Sequence, residues 1–294
     1  MPELPDITVY LDALAPRVLH QSLTRLRVLN PFVLRSVDPP IAEIEGKPVV
    51  ALRRVGKRIV LALEGELFVV IHLMIAGRLR WVASDAKIPK KLALATLDFP
   101  TGTLMLTEAG TTRRASIMLV RGEDALRALD RGGINVLDVE LATFADRLRS
   151  ENHTLKRALT DPRLFDGIGN AYSDEMLHRA RLSPVMLTSR ISDEDATRLY
   201  DAARDVLTEW IERLRHEVGD GFPDKVTAFR PEMAVHGKFK QPCPVCGTPV
   251  QRIRYATNET NYCARCQTGG KLLADRALSR LLKQDWPKSV EELG

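Results

Sequence analysis

Apolar side chains first recur at helical spacing between residues 4 and 19, where Ile7, Tyr10, Leu11, Leu14 and Val18 form one stripe. Pro5 and Asp6 suit a first helical turn, so an amphipathic helix is expected almost at the start of the chain. The period then shortens. Eight runs rich in β-branched and aliphatic residues follow at 24–29, 49–54, 58–63, 67–73, 77–82, 93–99, 103–107 and 116–120, with turn residues between them. They predict a β-sandwich or barrel. From Glu123 the 3.6-residue period returns, with helices expected at 123–130, 142–150, 153–161, 171–180 and, longest, 193–218. Ser192 with Asp195 resembles a capping arrangement, and Gly219 suits the end of that last helix. Residues 131–135 and 219–231 read as linkers, and no internal repeat is visible.

All four cysteines fall after these helices, as Cys243-Pro-Val-Cys246 and Cys263-Ala-Arg-Cys266, with 16 residues between the pairs. That spacing matches a four-thiolate zinc site, because each short turn aims two sulfurs inward and a hairpin brings the pairs together. Gly247 sits where the first turn must close, and 250–255 with 261–262 are the expected hairpin strands. Two disulfides are the competing reading, disfavoured in a chain without a secretion signal. Four thiolates leave no open coordination position, so one structural Zn2+ is expected.

Composition narrows the class. Of 294 residues, 45% are hydrophobic and 28% charged, which excludes a disordered, collagen-like or disulfide-scaffold chain. The longest apolar stretch, Leu67 to Ala76, contains His72 and falls far short of the roughly 20 residues that span a bilayer. The opening MPELPD has acids and prolines where a signal peptide needs basic residues, so a cytoplasmic protein is expected. Net charge is +5, and the segment from Lys238 to Lys271 alone carries it, with six basic residues against Glu259. A compact basic segment of this kind reads either as a contact for a phosphate backbone or as a solvated face.

Pro2 adds chemistry. Trimming of the initiator methionine leaves it as a secondary amine, with a pKa near the roughly 7.7–8.0 of an α-amino group, able to form a Schiff base with a sugar C1′. Glu3 beside it is suited to moving the proton that such chemistry requires.

Taken together, MPELPDI, Gly56-Lys57 before a strand, Gly167-Ile-Gly-Asn170-Ala-Tyr172-Ser-Asp-Glu175 and the four-cysteine ribbon resemble the Fpg/Nei family of DNA glycosylases over residues 1 to 267. The resemblance implies an α+β multidomain fold: an N-terminal β-sandwich with flanking helices (1–122), a helix-two-turn-helix domain (123–234) and a zinc ribbon (235–270), followed here by a tail (271–294). It implies a monomeric DNA glycosylase/AP lyase of base-excision repair that removes oxidised or ring-opened bases from double-stranded DNA. Pro2 would attack C1′ of a flipped nucleotide, Glu3 would act as general acid/base, and β,δ-elimination would cut the strand. Lys57 and Asn170 would hold phosphates, with Tyr172 in the same motif and Lys156 as a further phosphate contact. Met74 and Ile75 would fill the void left by the flipped base, and Arg113 would be a further DNA contact.

Several positions depart from the family pattern. Asp6 replaces a glutamate, which is expected to loosen a charge interaction near the nucleophile. Asn258 stands where an arginine usually grips the phosphates flanking the lesion, leaving Arg252, Arg254 or Arg265 to replace that charge. Ala115 replaces a phenylalanine wedge, which is expected to weaken reading of the opposite base. Residues 219–232 leave little room for a long lesion-capping loop, so Nei-like or atypical substrates are favoured. Leu272, Leu273, Ala277, Leu281 and Leu282 recur near helical spacing, predicting a docking helix in the tail. Asn258 and Ala115 also support a rival, a non-catalytic damaged-DNA-binding protein of the same fold. A zinc-ribbon transcription or translation factor accounts for the cysteines but not for the N-terminus.

Overall fold

The computed structural model describes residues 1–89, 91–109, 112–224, 226–254, 259–273 and 288–293. The chain forms two compact units, one of residues 1–131 with 210–227 and one of residues 132–209 with 228–294.

In the first unit, helix α1 (Leu4–Val18) precedes eight strands: β1 (Arg25–Val28), β2 (Val49–Val55), β3 (Arg58–Leu63), β4 (Leu67–His72), β5 (Gly77–Val82), β6 (Ala93–Phe99), β7 (Gly102–Glu108) and β8 (Ser116–Arg121). They make two antiparallel four-stranded sheets, ordered β2-β3-β4-β8 and β1-β6-β7-β5. The sandwich expectation holds. Side chains alternate faces along a strand. Ile59, Leu61 and Leu63 of β3 and Val69 and Ile71 of β4 enter a core shared with Leu79, Leu97, Leu104 and Leu106 of the other sheet and with Ile7, Tyr10 and Leu14 of α1. Val60, Ala62, Phe68 and Val70, on the reverse face, pack against Leu126. Leu126 belongs to the short helix Glu123–Arg127, which sits against β8 in this unit. Burial on both faces explains why β3 and β4 read as unbroken apolar runs. A four-residue helix, Ile41–Ile44, interrupts the β segment; it is too short to show in the periodicity.

Residues 219–227 are more than a linker. Phe222 lies 5.8 Å from Tyr10 and 6.5 Å from Trp81 by ring centroids, Arg17 covers its ring, and Val226 is 6% exposed in the main core. Two apolar side chains four residues apart anchor the segment to the sandwich.

The second unit holds helices Leu141–Arg149, Leu155–Thr160 and Asn170–Arg179, and the greater part of Asp193–Val218. Thr154 and Ser192 accept backbone N–H groups of Arg157 and Asp195, capping the second and last of them. Phe144 packs between Phe165 and Tyr200 at 5.0 and 5.4 Å. Strands β9 (Gln251–Arg254) and β10 (Glu259–Tyr262) pair as the predicted hairpin, followed by a short helix, Ala264–Thr268. Part of the tail also returns to this hairpin. The Leu272 amide donates to Lys288 O, the Val290 amide to Gly270 O, and Leu272, Leu273 and Val290 join Ile253 and Tyr262 in a small cluster. The predicted docking helix beyond Leu273, with Ala277, Leu281 and Leu282, lies outside the described residues. No described helix is long and apolar enough to cross a membrane.

Candidate active site and metal centre

Glu3 is the N-cap of α1 and is 3% exposed. Its side chain accepts the Asp6 backbone N–H while the Asp6 carboxylate accepts the Glu3 N–H at 2.9 Å, a reciprocal capping box. Aspartate at position 6 therefore fixes the backbone of Glu3, where a loosened charge interaction was expected. Pro2 is buried and Met1 is 39% exposed. Burial pushes the Met1 amine below its ordinary value; Glu3 and Asp6 pull it back, while Arg78 and Lys57 add to the push. Lys57 lies in the two-residue turn Gly56-Lys57 between β2 and β3, with Gly56 at φ +62° supplying the backbone conformation that L side chains rarely adopt. Glu3, Asp6, Arg78 and Lys57 thus all act on the Met1 amine, one residue before Pro2.

His72 pairs in register with Arg58 at the end of β4. Burial, then Arg58 and Lys57, push its pKa down to about 4. In the unfolded chain it titrates near 6.5, so between about pH 6.5 and 4 unfolding takes up a proton that the folded state refuses. Stability is complete above that window and falls as pH drops through it, by at most ~1.4 kcal/mol per pH unit from this group. We expect urea denaturation at pH 7 and pH 5 to show a smaller difference for His72→Gln than for the wild type.

Beyond β4 the chain turns through Leu73 to Gly77, closed by the Gly77 amide donating to Leu73 O at 2.9 Å, with Met74 at φ +52° and Ile75 62% exposed. An added Cβ at Gly77 would collide with Leu73 O and come within 2.9 Å of Ala115 Cβ. Ala115 is thus a buried neighbour of this turn, 3% exposed, and not a blunted surface wedge. The Glu108 carboxylate accepts the backbone N–H groups of Arg114 and Ala115 at 2.8 and 2.9 Å, and Arg113 reaches out to donate to Lys91 O. Gly77→Ala is expected to cost about 2–4 kcal/mol, by overpacking, in thermal or urea unfolding.

In the second unit, Asn170 begins the helix Asn170–Arg179, whose first-turn N–H groups and dipole favour an anion. Its side-chain amide donates to Glu259 O at 2.9 Å, tying the helix start to β10. The tyrosine two residues on is core: Tyr172 is 2% exposed, so its ring is no DNA-facing surface. Lys156 corrects another expectation. Its ammonium has three N–H donors, and Asn170 O, Ser173 Oγ and Asp174 Oδ1 accept at 2.6, 2.8 and 2.5 Å, which leaves no donor for a phosphate. Asp174 also accepts from Asn261 N and contacts His236 Nδ1 at 2.8 Å, while Glu175 accepts the N–H groups of Ala234, Val235 and His236 at 2.7–2.9 Å. Burial pushes the Glu175 carboxyl up, against those three N–H groups. Arg254 is exposed on β9 opposite Glu259; Arg252 stacks on Phe239 at 4.1 Å, and Arg265 lies 3.8 Å from Glu291. Asn258 lies outside the described residues.

The four cysteine sulfurs lie within 4.8 Å of one another, Cys243 to Cys266 at 3.9 Å and Cys246 to Cys263 at 3.4 Å. A tetrahedral zinc with Zn–S of about 2.3 Å needs sulfurs about 3.8 Å apart, so the set fits one structural Zn2+. Gly247, at φ +72°, donates to Cys243 O and closes the first turn, and His178 Nε2 stands 3.3 Å from Cys243 Sγ.

A β-sandwich, a helix-two-turn-helix unit and a four-thiolate ribbon, in this order, are the architecture of a class of DNA glycosylases of base-excision repair. Family models described as the formamidopyrimidine-DNA glycosylase N-terminal domain, its H2TH domain and the zinc finger found in FPG and IleRS match residues 1–114, 135–219 and 240–269. The formamidopyrimidine-DNA glycosylase of Solibacter usitatus is 32% identical over 271 residues, 91% of this chain and 99% of the relative. The crystal structure of MutM (Fpg) from Thermus thermophilus matches with a TM-score of 0.76 at 32% identity, over 90% of this chain and 98% of that one. A Lactococcus lactis Fpg complex with abasic-site DNA shares the fold, with a TM-score of 0.78 at 23% identity over 90% and 99% of the chains. The chain belongs to the formamidopyrimidine-DNA glycosylase family.

Sequence reasoning missed Arg78, Glu108 and the Asp174–Glu175 contacts. Only the last had a local signal, two adjacent acids in a motif.

Proposed function

We propose that the protein is a bifunctional DNA glycosylase/AP lyase that removes oxidised or ring-opened bases and then cuts the strand. The observation that carries this reading is the buried Pro2-Glu3 pair at the start of α1, with Glu3 3% exposed as its N-cap. After removal of Met1 the Pro2 nitrogen bonds to C1′ as the C1′–base bond breaks, and Glu3 supplies the proton that opens the sugar ring. The imine acidifies C2′–H; loss of that proton expels the 3′ phosphate, and a second elimination expels the 5′ phosphate. Lys57, Asn170 with its helix N-terminus, and Arg254 hold the DNA backbone without reading sequence. Met74 and Ile75 fill the gap left by the extruded base, and Arg113 is a further DNA contact. The relatives' names support formamidopyrimidines among the substrates.

Borohydride trapping on an abasic duplex tests the reading. A covalent adduct is expected from the wild type and not from Pro2→Gly, with base removal sharply reduced in Glu3→Gln. Tight lesion binding by the wild type without adduct or cleavage would instead establish the non-catalytic rival.

A further inference from the structure

Arg78 follows the Leu73–Gly77 turn on β5. Its Nη1 donates to the carbonyls of Ile75 and Gly77 at 3.1 and 2.7 Å, and its Nε donates at 2.5 Å to Val226 O, 148 residues further along the chain. One guanidinium thus ties the turn that exposes Ile75 to the segment anchored by Phe222 and Val226. These acceptors are neutral carbonyls, so among the described residues no bonded carboxylate cancels the charge. That charge acts, with Lys57 and against Glu3 and Asp6 of α1, on the amine of Met1. A planar fork suits the three-carbonyl task, and a lysine ammonium, a point charge on a flexible stem, does not reproduce it.

We propose that Arg78 is a positioning residue of the glycosylase: its fork holds the Ile75 turn to the 222–227 segment. The proposal rests on Pro2 being the nucleophile. Substitution separates the fork from the charge. Borohydride trapping on an abasic duplex across pH 6–9, and single-turnover removal of a formamidopyrimidine from a duplex, are compared for wild type, Arg78→Lys and Arg78→Gln, with unfolding curves as the control for folding. Arg78→Gln loses both fork and charge and is expected to slow base removal at least as much as the lysine variant. Arg78→Lys keeps the charge and loses the fork; it is expected to keep the wild-type trapping midpoint and to remove the base at least about tenfold more slowly, as misplacement near the reacting centre does. A folded Arg78→Lys that removes the base at the wild-type rate overturns the role of the fork. Failure of the wild type itself to trap an adduct sinks the Pro2 reading, and the control makes that failure distinguishable.

Discussion

Lys156→Met is expected to destabilise the protein by about 3–5 kcal/mol, because it strips the ammonium from a carboxylate that has no access to water. Asp174 is 0% exposed at its side chain and Lys156 only 11%, at 2.5 Å from each other. Methionine fills most of the volume, so the loss measures the stranded charge rather than a cavity. Urea denaturation of Lys156→Met, Asp174→Asn and the double variant gives the coupling directly, with the double variant recovering part of the loss. Were Lys156 a phosphate ligand instead, the variant would unfold like the wild type while binding DNA more weakly at every sequence.

Zinc removal has the larger effect on the ribbon. Its apolar clusters are small, Val235 and Val250 packed around the four cysteines and Ile253, Tyr262 and Leu272 beside them, too little to fold such a segment unaided. Apparent zinc-binding free energies of about 10–16 kcal/mol are folding free energy for modules of this kind. Chelation is expected to melt the β9–β10 hairpin and to release Asn170 from its partner Glu259 O, which joins the loss of metal to the start of the helix Asn170–Arg179. DNA affinity should fall by at least about tenfold while the β-sandwich keeps its own unfolding transition. Metal content, limited proteolysis of residues 240–269 and a binding titration check this, and the restoration of all three by added Zn2+ separates metal loss from damage.

The fold was legible because its elements bury apolar faces with distinct periods. Residues 58–63 and 193–218 could be bounded to the residue, since one is apolar on both faces of a sheet and the other carries a 3.6-residue stripe behind a serine cap. The cysteine spacing stated its own chemistry. What stayed hidden depends on distant contacts: nothing near Arg78 announces Val226, and the anchoring of Phe222 and Val226 emerges only once α1 and β5 are folded. Ala115 looked like a lost wedge because sequence does not tell a surface loop from the underside of a turn. Lys156 reads as a DNA contact only through the family resemblance, and the fold instead closes Ser173 and Asp174 over it.

The adjacent acids Asp174 and Glu175 point to different partners, one to Lys156, His236 and Asn261, the other to three successive amides at 234–236. A loss-of-function screen would score both positions as intolerant, in the way a catalytic pair scores. Yet they act as mortar between a helix and the strand of chain leading into the ribbon, and a damaged variant would be rescued by cooling or by second-site stabilisation, which never rescues a missing nucleophile.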